Sequence, residues 1–237
     1  MIKSKLAIIT YDNPHRKTQD LVTQLLLHGY QNITLLVIPW ISRKTFVPIY
    51  KHRPSYKAAV SIDKMCENLR IGKVRLDISE LKTHIQQSTY DHTLIGGAGL
   101  LPDDLATDCN IINAHPGYLP KVRGLDSLKW ALLEGLPLGA TTHYITDKAD
   151  EGRLIEKRLV PLYYEDTFHS IAYRVYEVEI AMMVNAIKLI ESKEAPLSDL
   201  ADDKYIAHRR MPHHLERKMM EAFERLRFAS PSIKEIV

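Results

Sequence analysis

Apolar runs and mixed segments alternate along the chain at a regular spacing. Residues 5–10 (KLAIIT) and 32–38 (NITLLVI) are mostly apolar and β-branched, which predicts strands buried on both faces of a parallel sheet. Between them, Leu21, Val22, Leu25 and Leu26 fall at helical spacing over residues 16–28, and His28-Gly29 closes that helix. Residues 39–54 carry prolines and aromatics and predict a long loop of the kind that is often functional. Helices are expected over 56–69 and 79–87, and a strand over 90–96 that runs into Gly96-Gly97-Ala98-Gly99.

Another strand is expected over 110–114, meeting His115-Pro116-Gly117, and then an amphipathic helix over 125–134 ended by Gly135. Two strands, 138–145 and 153–160, flank a turn at Lys148 to Gly152. Residues 167–192 predict one long helix, with Ile171, Val175, Val178, Met182, Val184, Ile187 and Ile190 on or near one face. The rest is polar, with one more helix after Pro212. This order predicts an α/β fold: an open, twisted, mostly parallel Rossmann-like sheet flanked by helices. The expected organisation is one domain over 1–192 and a short helical C-terminal extension over 193–237.

Composition narrows the class. The 237 residues hold 45% hydrophobic and 26% charged side chains, ordinary for a globular protein. A net charge of +3 gives no electrostatic footprint for nucleic acid. Cys66 and Cys109 have no zinc spacing, and the opening apolar run is too short for a signal sequence or membrane span. A cytoplasmic protein without metal is the expectation.

The densest chemistry is Asn113-Ala114-His115-Pro116-Gly117-Tyr118-Leu119-Pro120. Residues two apart on a strand share a face, so Asn113 and His115 project together. Open α/β sheets bind ligands beyond the carboxyl ends of their strands. An amide that donates to an oxyanion, beside an imidazole that moves protons, suits acyl transfer.

From Asn113 to Asp166 the chain resembles the folate-dependent formyltransferases, the family of glycinamide ribonucleotide, methionyl-tRNA and sugar N-formyltransferases. The carrying residues are Asn113-x-His115-Pro116-Gly117-Tyr118-Leu119-Pro120, Arg123-Gly124, Gly139-Ala140-Thr141-Thr142-His143, Asp150-x-Gly152 and Asp166-Thr167. Gly117 stands where the family usually has Ser. The resemblance implies Asn113, His115 and Asp150 as the catalytic set and N10-formyltetrahydrofolate as the formyl donor. It implies a folate pocket at Gly97, Ala98, Gly99, Leu100 and Leu101, running to Pro102, and at Ile145, Thr146 and Asp147, running to Asp150. No role is assigned to His143.

The acceptor is expected to be a small-molecule amine. A glycine-rich phosphate loop resembles the glycinamide ribonucleotide enzymes, yet Thr10 to His15 contains no glycine. The methionyl-tRNA enzymes carry a second β-rich domain, and only 45 residues follow the long helix. The best resemblance is to the sugar N-formyltransferases, which act on nucleotide-linked amino sugars in glycan biosynthesis. Tyr11, Asn13, His15, Tyr118 and Arg123 are the candidate acceptor residues, with Trp40 and Tyr50 as further aromatics. Asn13 has a plain alternative as the cap of the first helix. Other readings stay open: another amine formyltransferase, a formyltetrahydrofolate hydrolase, or a silent folate-binding protein. Hydrolases of the family resemble a fusion with an N-terminal regulatory domain, which this chain is expected to lack. The apolar residues of the last helix suit packing on the body or, as a homodimer, on a second subunit.

Overall fold

Seven strands line up in the order β3-β2-β1-β4-β5-β6-β7 in the computed structural model, which describes residues 2–40, 46–53, 59–202 and 204–233. The strands are β1 Leu6–Tyr11, β2 Ile33–Ile38, β3 Gly72–Arg75, β4 His92–Ile95, β5 Ile111–His115, β6 Gly139–Tyr144 and β7 Arg153–Leu159. β3, β2, β1, β4 and β5 are parallel, β6 runs antiparallel beside β5, and β7 runs antiparallel beside β6. The helices are α1 Arg16–Leu27, α2 Ile62–Leu69, α3 Leu81–Gln87, α4 Asp103–Asp108, α5 Ser127–Glu134, α6 Phe168–Glu191 and α7 His213–Phe228. This is the α/β architecture expected from the hydrophobic pattern.

Alternation along the strands divides the core. Leu6, Ile8, Leu35, Val37, Ile112 and Ala114 face α1, α2 and α6, whereas Ala7, Ile9, Leu36, Ile38 and Ile111 face α3 and α4. Both faces are covered, which is why these strands read as continuous apolar runs. β2 and β4 flank β1, so the chain leaves β1 in opposite directions and opens a crevice beyond the β1 and β4 ends. Tyr11 to His15 and Gly96 to Gly99 lie there.

Two elements carry no sequence signal. β3 is an exposed edge strand, GKVR, with no apolar alternation to detect. α4 has six residues, too few to show helical period. The helix expected over 56–69 begins later, at Ile62, where the Ser61 side chain accepts from the Lys64 N–H. Residues 54–58 lie outside the described residues.

Beyond residue 192 the chain is tied to the body. Residues 197–200 pair with the start of β7, and α7 buries Met219 and Phe223 against Leu128 and Leu132 of α5 and Phe168 and Ile171 of α6. A buried Lys129–Glu216 ion pair joins α5 to α7, and Glu216 also accepts from the Ile49 N–H at 2.8 Å. Among the described residues no helix is long and apolar enough to cross a membrane.

Candidate active site

Asn113 and His115 do share a face of β5, the one that Thr141 and His143 occupy on β6, because the register pairs His115 with Thr141 and Asn113 with His143. Asp150 comes six residues after β6 ends opposite Ile112. To reach His115 the chain doubles back over the sheet face. Its carboxylate Oδ1 lies 3.1 Å from His115 Nδ1, and Oδ2 accepts from the Gly124 N–H at 2.7 Å. Burial alone would push this carboxyl up. The His115 ring and the Gly124 N–H outweigh burial and hold it down at about 2, so it is a carboxylate at neutral pH. Asp150 has φ 56°, a left-handed conformation that Asp tolerates better than most residues.

His115 is 5% exposed. Its Nε2 lies 2.9 Å from the Val122 carbonyl and 3.2 Å from Ser127 Oγ, whose hydroxyl donates to Gly124 O. Both ring nitrogens therefore face acceptor oxygens, and the ring satisfies both only when each carries a proton. The glycine at 117 follows from this packing. A Cβ there would stand 2.5 Å from Val122 O and 2.7 Å from His115 Nε2, so the serine usual in the family has no room.

His143 turns out to belong to the site. It is fully buried, and its Nδ1 faces the carbonyls of Glu151 at 3.0 Å and Tyr144 at 3.2 Å. Carbonyls only accept, so Nδ1 holds the proton and Nε2 is left to accept from Asn113 Nδ2 at 3.4 Å. Burial drives the His143 pKa from 6.5 down to about 4, so the ring is neutral. One N–H of the Asn113 amide is thereby fixed and the other is left for a ligand. The only sequence signal was a histidine two strand positions from Thr141, on the same face.

The two stretches expected to form the folate pocket meet one apolar cluster. Ala98, Leu101, Ile145 and Tyr11 all pack against the Ile9, Leu36, Leu105 and Ile111 group. Gly97 lies under the His15 ring, where a Cβ would stand 2.5 Å from that imidazole. Gly99 and Thr146 are half-buried, and Leu100 and Asp147 are exposed.

The expected acceptor residues separate. Tyr11 stands edge-on to Trp40 at 4.7 Å and lies 6.4 Å from the His15 ring. His15, not Asn13, caps α1, accepting from the Thr18 N–H. The Asn13 N–H donates back to Tyr11 O. Burial, with Lys17 and Arg53 adding to it, lowers the His15 pKa to about 4. Tyr118 lies three strands from β1, against Gly139 and beneath the Lys157 ammonium at 5.4 Å. Tyr50 packs on Phe168 in the α5–α7 core. Arg123 is 7% exposed, with its guanidinium turned into the protein.

A buried ion network that the sequence did not single out lies beside β5. Glu179 of α6 accepts from Lys17 Nζ at 2.7 Å and from Arg53, and Lys17 also reaches the Ala114 carbonyl at 3.3 Å. Burial would raise the Glu179 carboxyl, but Arg53 and Lys17 outweigh it and hold it at about 2. The available signal was a carboxylate on the apolar face of α6, one turn from Val175 and Tyr176.

Residues 51–187 match the formyl transferase family. Phosphoribosylglycinamide formyltransferase of Bacillus subtilis is 32% identical over 98 residues, 40% of this chain and 50% of that protein. The mitochondrial formyltetrahydrofolate deformylase 2 of Arabidopsis thaliana is 34% identical over 80 residues, 33% of this chain and 24% of that protein. The chain thus spans at most half the length of these curated relatives. In structure it is similar to an N-formyltransferase from Helicobacter canadensis, solved with folinic acid and dTDP-3-aminofucose. That likeness has a TM-score of 0.63 at 16% identity and covers 98% of this chain and 85% of that one. The match covers more than half of the chain and spans β5, the Asp150 turn and most of α6, and the chain belongs to the formyl transferase family.

Proposed function

We propose that the protein moves a formyl group from N10-formyltetrahydrofolate to the amine of a nucleotide-linked amino sugar, of the kind used in glycan biosynthesis. The observation that carries this reading is the contact of Asp150 with His115 beside an Asn113 amide aimed by His143. The folate supplies an activated formyl carbon and a nitrogen that can leave. Asn113 donates its remaining N–H to the charge that develops on the formyl oxygen. His115, held by Asp150 at Nδ1, adds positive charge there, and its Nε2–H leaves the Val122 carbonyl and Ser127 to give its proton to the departing nitrogen. As the acceptor nitrogen bonds to carbon it loses a proton, which restores His115. Ala98, Leu101 and Ile145 offer half-buried apolar surface to a flat ring, and the backbone of 97–101 and 145–147 offers donors and acceptors.

The acceptor class has its own support. A cleft of about 400 Å³ is lined by Lys51, His52, Arg53, His169 and Tyr173. Arg53 connects it through Glu179 and Lys17 to Ala114, between Asn113 and His115. Cations suit a diphosphate and a tyrosine ring suits a base. The ligands of the Helicobacter canadensis protein point the same way.

The test mixes protein, N10-formyltetrahydrofolate and a panel of nucleotide-linked amino sugars, following tetrahydrofolate release and product mass. One formyl mass gained by a sugar is the expected result. Tetrahydrofolate and free formate without a formylated sugar would replace this reading with the hydrolase one.

A further inference from the structure

Asp150 lies on a turn whose position depends on residues far away in sequence. Gly152 O accepts from the Leu200 N–H at 2.8 Å, the Leu154 N–H donates to Ser198 O, and the Leu197 N–H donates to Leu154 O. Residues 197–200 thus fasten the downstream end of the turn. On the other side, Arg123 spreads its guanidinium over three acceptors. Nη2 donates to Ala149 O at 2.8 Å and meets Glu151 Oε1 at 2.6 Å, and Nη1 donates to Tyr205 O at 3.2 Å. Ala149 and Glu151 are the two neighbours of Asp150.

The same C-terminal stretch sets the donor to Asp150. Gly124, whose N–H reaches the carboxylate, forms a parallel bridge with His208. The His208 N–H donates to Arg123 O at 3.0 Å and the Leu125 N–H donates to His208 O at 2.9 Å. Gly124 has φ +88°, and a Cβ there would stand 2.1 Å from His208 O, so only glycine fits. The His208 ring stacks on Trp130 at 4.4 Å, and Trp130 Nε1 donates to Arg209 O.

We infer that Arg123, clasped by residues 205–208 of the C-terminal stretch, is a positioning residue that holds Asp150 against His115, and is not a contact to the acceptor. A planar fork serves Ala149, Glu151 and Tyr205 at once, whereas a lysine ammonium has no such span. The inference rests on the proposed role of Asp150, so the test carries D150N as its reference.

Wild type, D150N, R123K and E151Q are compared in steady-state turnover over a pH range, with thermal melting of each. R123K should lower kcat about 10- to 100-fold, the scale of a misplaced catalytic group. The KM of both substrates should stay within about threefold. The acid limb of its kcat profile should move up, because the Asp150 carboxyl, parted from the His115 ring, loses the charge that holds it low. E151Q should lower kcat by roughly three- to tenfold with the same pattern, and it decides the matter if R123K does not fold. Unchanged kcat in a folded R123K, or a raised acceptor KM at wild-type kcat, overturns the inference. An active D150N would instead overturn the reading of the site itself.

Discussion

The turn 145–152 and the loop 96–102 border the same apolar cluster, yet they are held in different ways. Side chains and distant backbone fasten the turn. Asp150 grips His115 and Gly124, Ala149 and Glu151 are held by Arg123, and Gly152 is held by Leu200. The loop is tied at its root, where the Gly96 and Gly97 N–H groups donate to Ile9 O, and further out Leu100 is 81% exposed. Chemistry needs groups fixed before substrate arrives, while a binding wall tolerates adjustment to its ligand. Changes at residues 149–152 should therefore act on kcat, and changes in the loop on the KM for folate.

The largest effect should come from the turn and its partner. His115→Ala should lower turnover on the order of 10²–10⁴, as loss of an acid–base group does, with folate KM little moved. Asn113→Ala should follow at about 10²–10³, the cost of one oxyanion donor. Steady-state kinetics with varied folate check both, and a folate KM that rises in step with the loss would merge the two walls into one.

Acid should affect the fastened side next. The folded pKa of His143 is about 4 against an ordinary 6.5, so the unfolded chain takes up its proton first as pH falls. The stability this group contributes is full above about 6.5 and is lost as pH falls through 4. His15, at about 4, and His52, lowered to about 3 chiefly by burial, act with the same sign. The increment from Asp150 is present above its ordinary 3.8 and is lost as pH falls through about 2. Urea unfolding at pH 7, 5 and 4 should show the decline, and H143Q should flatten it. An unchanged slope in H143Q would remove His143 from the account.

The smallest effect belongs to the exposed loop. Leu100→Ala should raise the folate KM by roughly two- to fivefold, the scale of partial loss of apolar contact, with kcat near wild type. A drop in kcat without a change in KM would place the loop in the chemistry.

Much of this was legible from the chain because local pattern carried it. β1, β2 and β5 announce themselves as apolar runs, and the spacing of Asn113 and His115 puts them on one face. What local pattern lacks is the partner at long separation. Lys17 finds Glu179 across 162 residues and Arg123 finds Tyr205 across 82, so neither link shows as a periodicity. Nothing local marks Arg123 as more than a candidate acceptor-side cation, because its buried partners come from the turn and the C-terminal stretch. The approach of Asp150 to His115 came from resemblance alone. It depends on a chain reversal closed at Gly152, φ +115°, where a Cβ would stand 2.0 Å from Tyr144 O.

The most direct test pairs folate binding with single-turnover transfer in wild type and D150N, using the acceptor that the panel identifies. D150N should bind N10-formyltetrahydrofolate within a few-fold of wild type and lose about 10²–10⁴ in the rate of formyl transfer. Transfer at the wild-type rate in D150N would contradict the assignment of Asp150 and His115 as the centre of the chemistry.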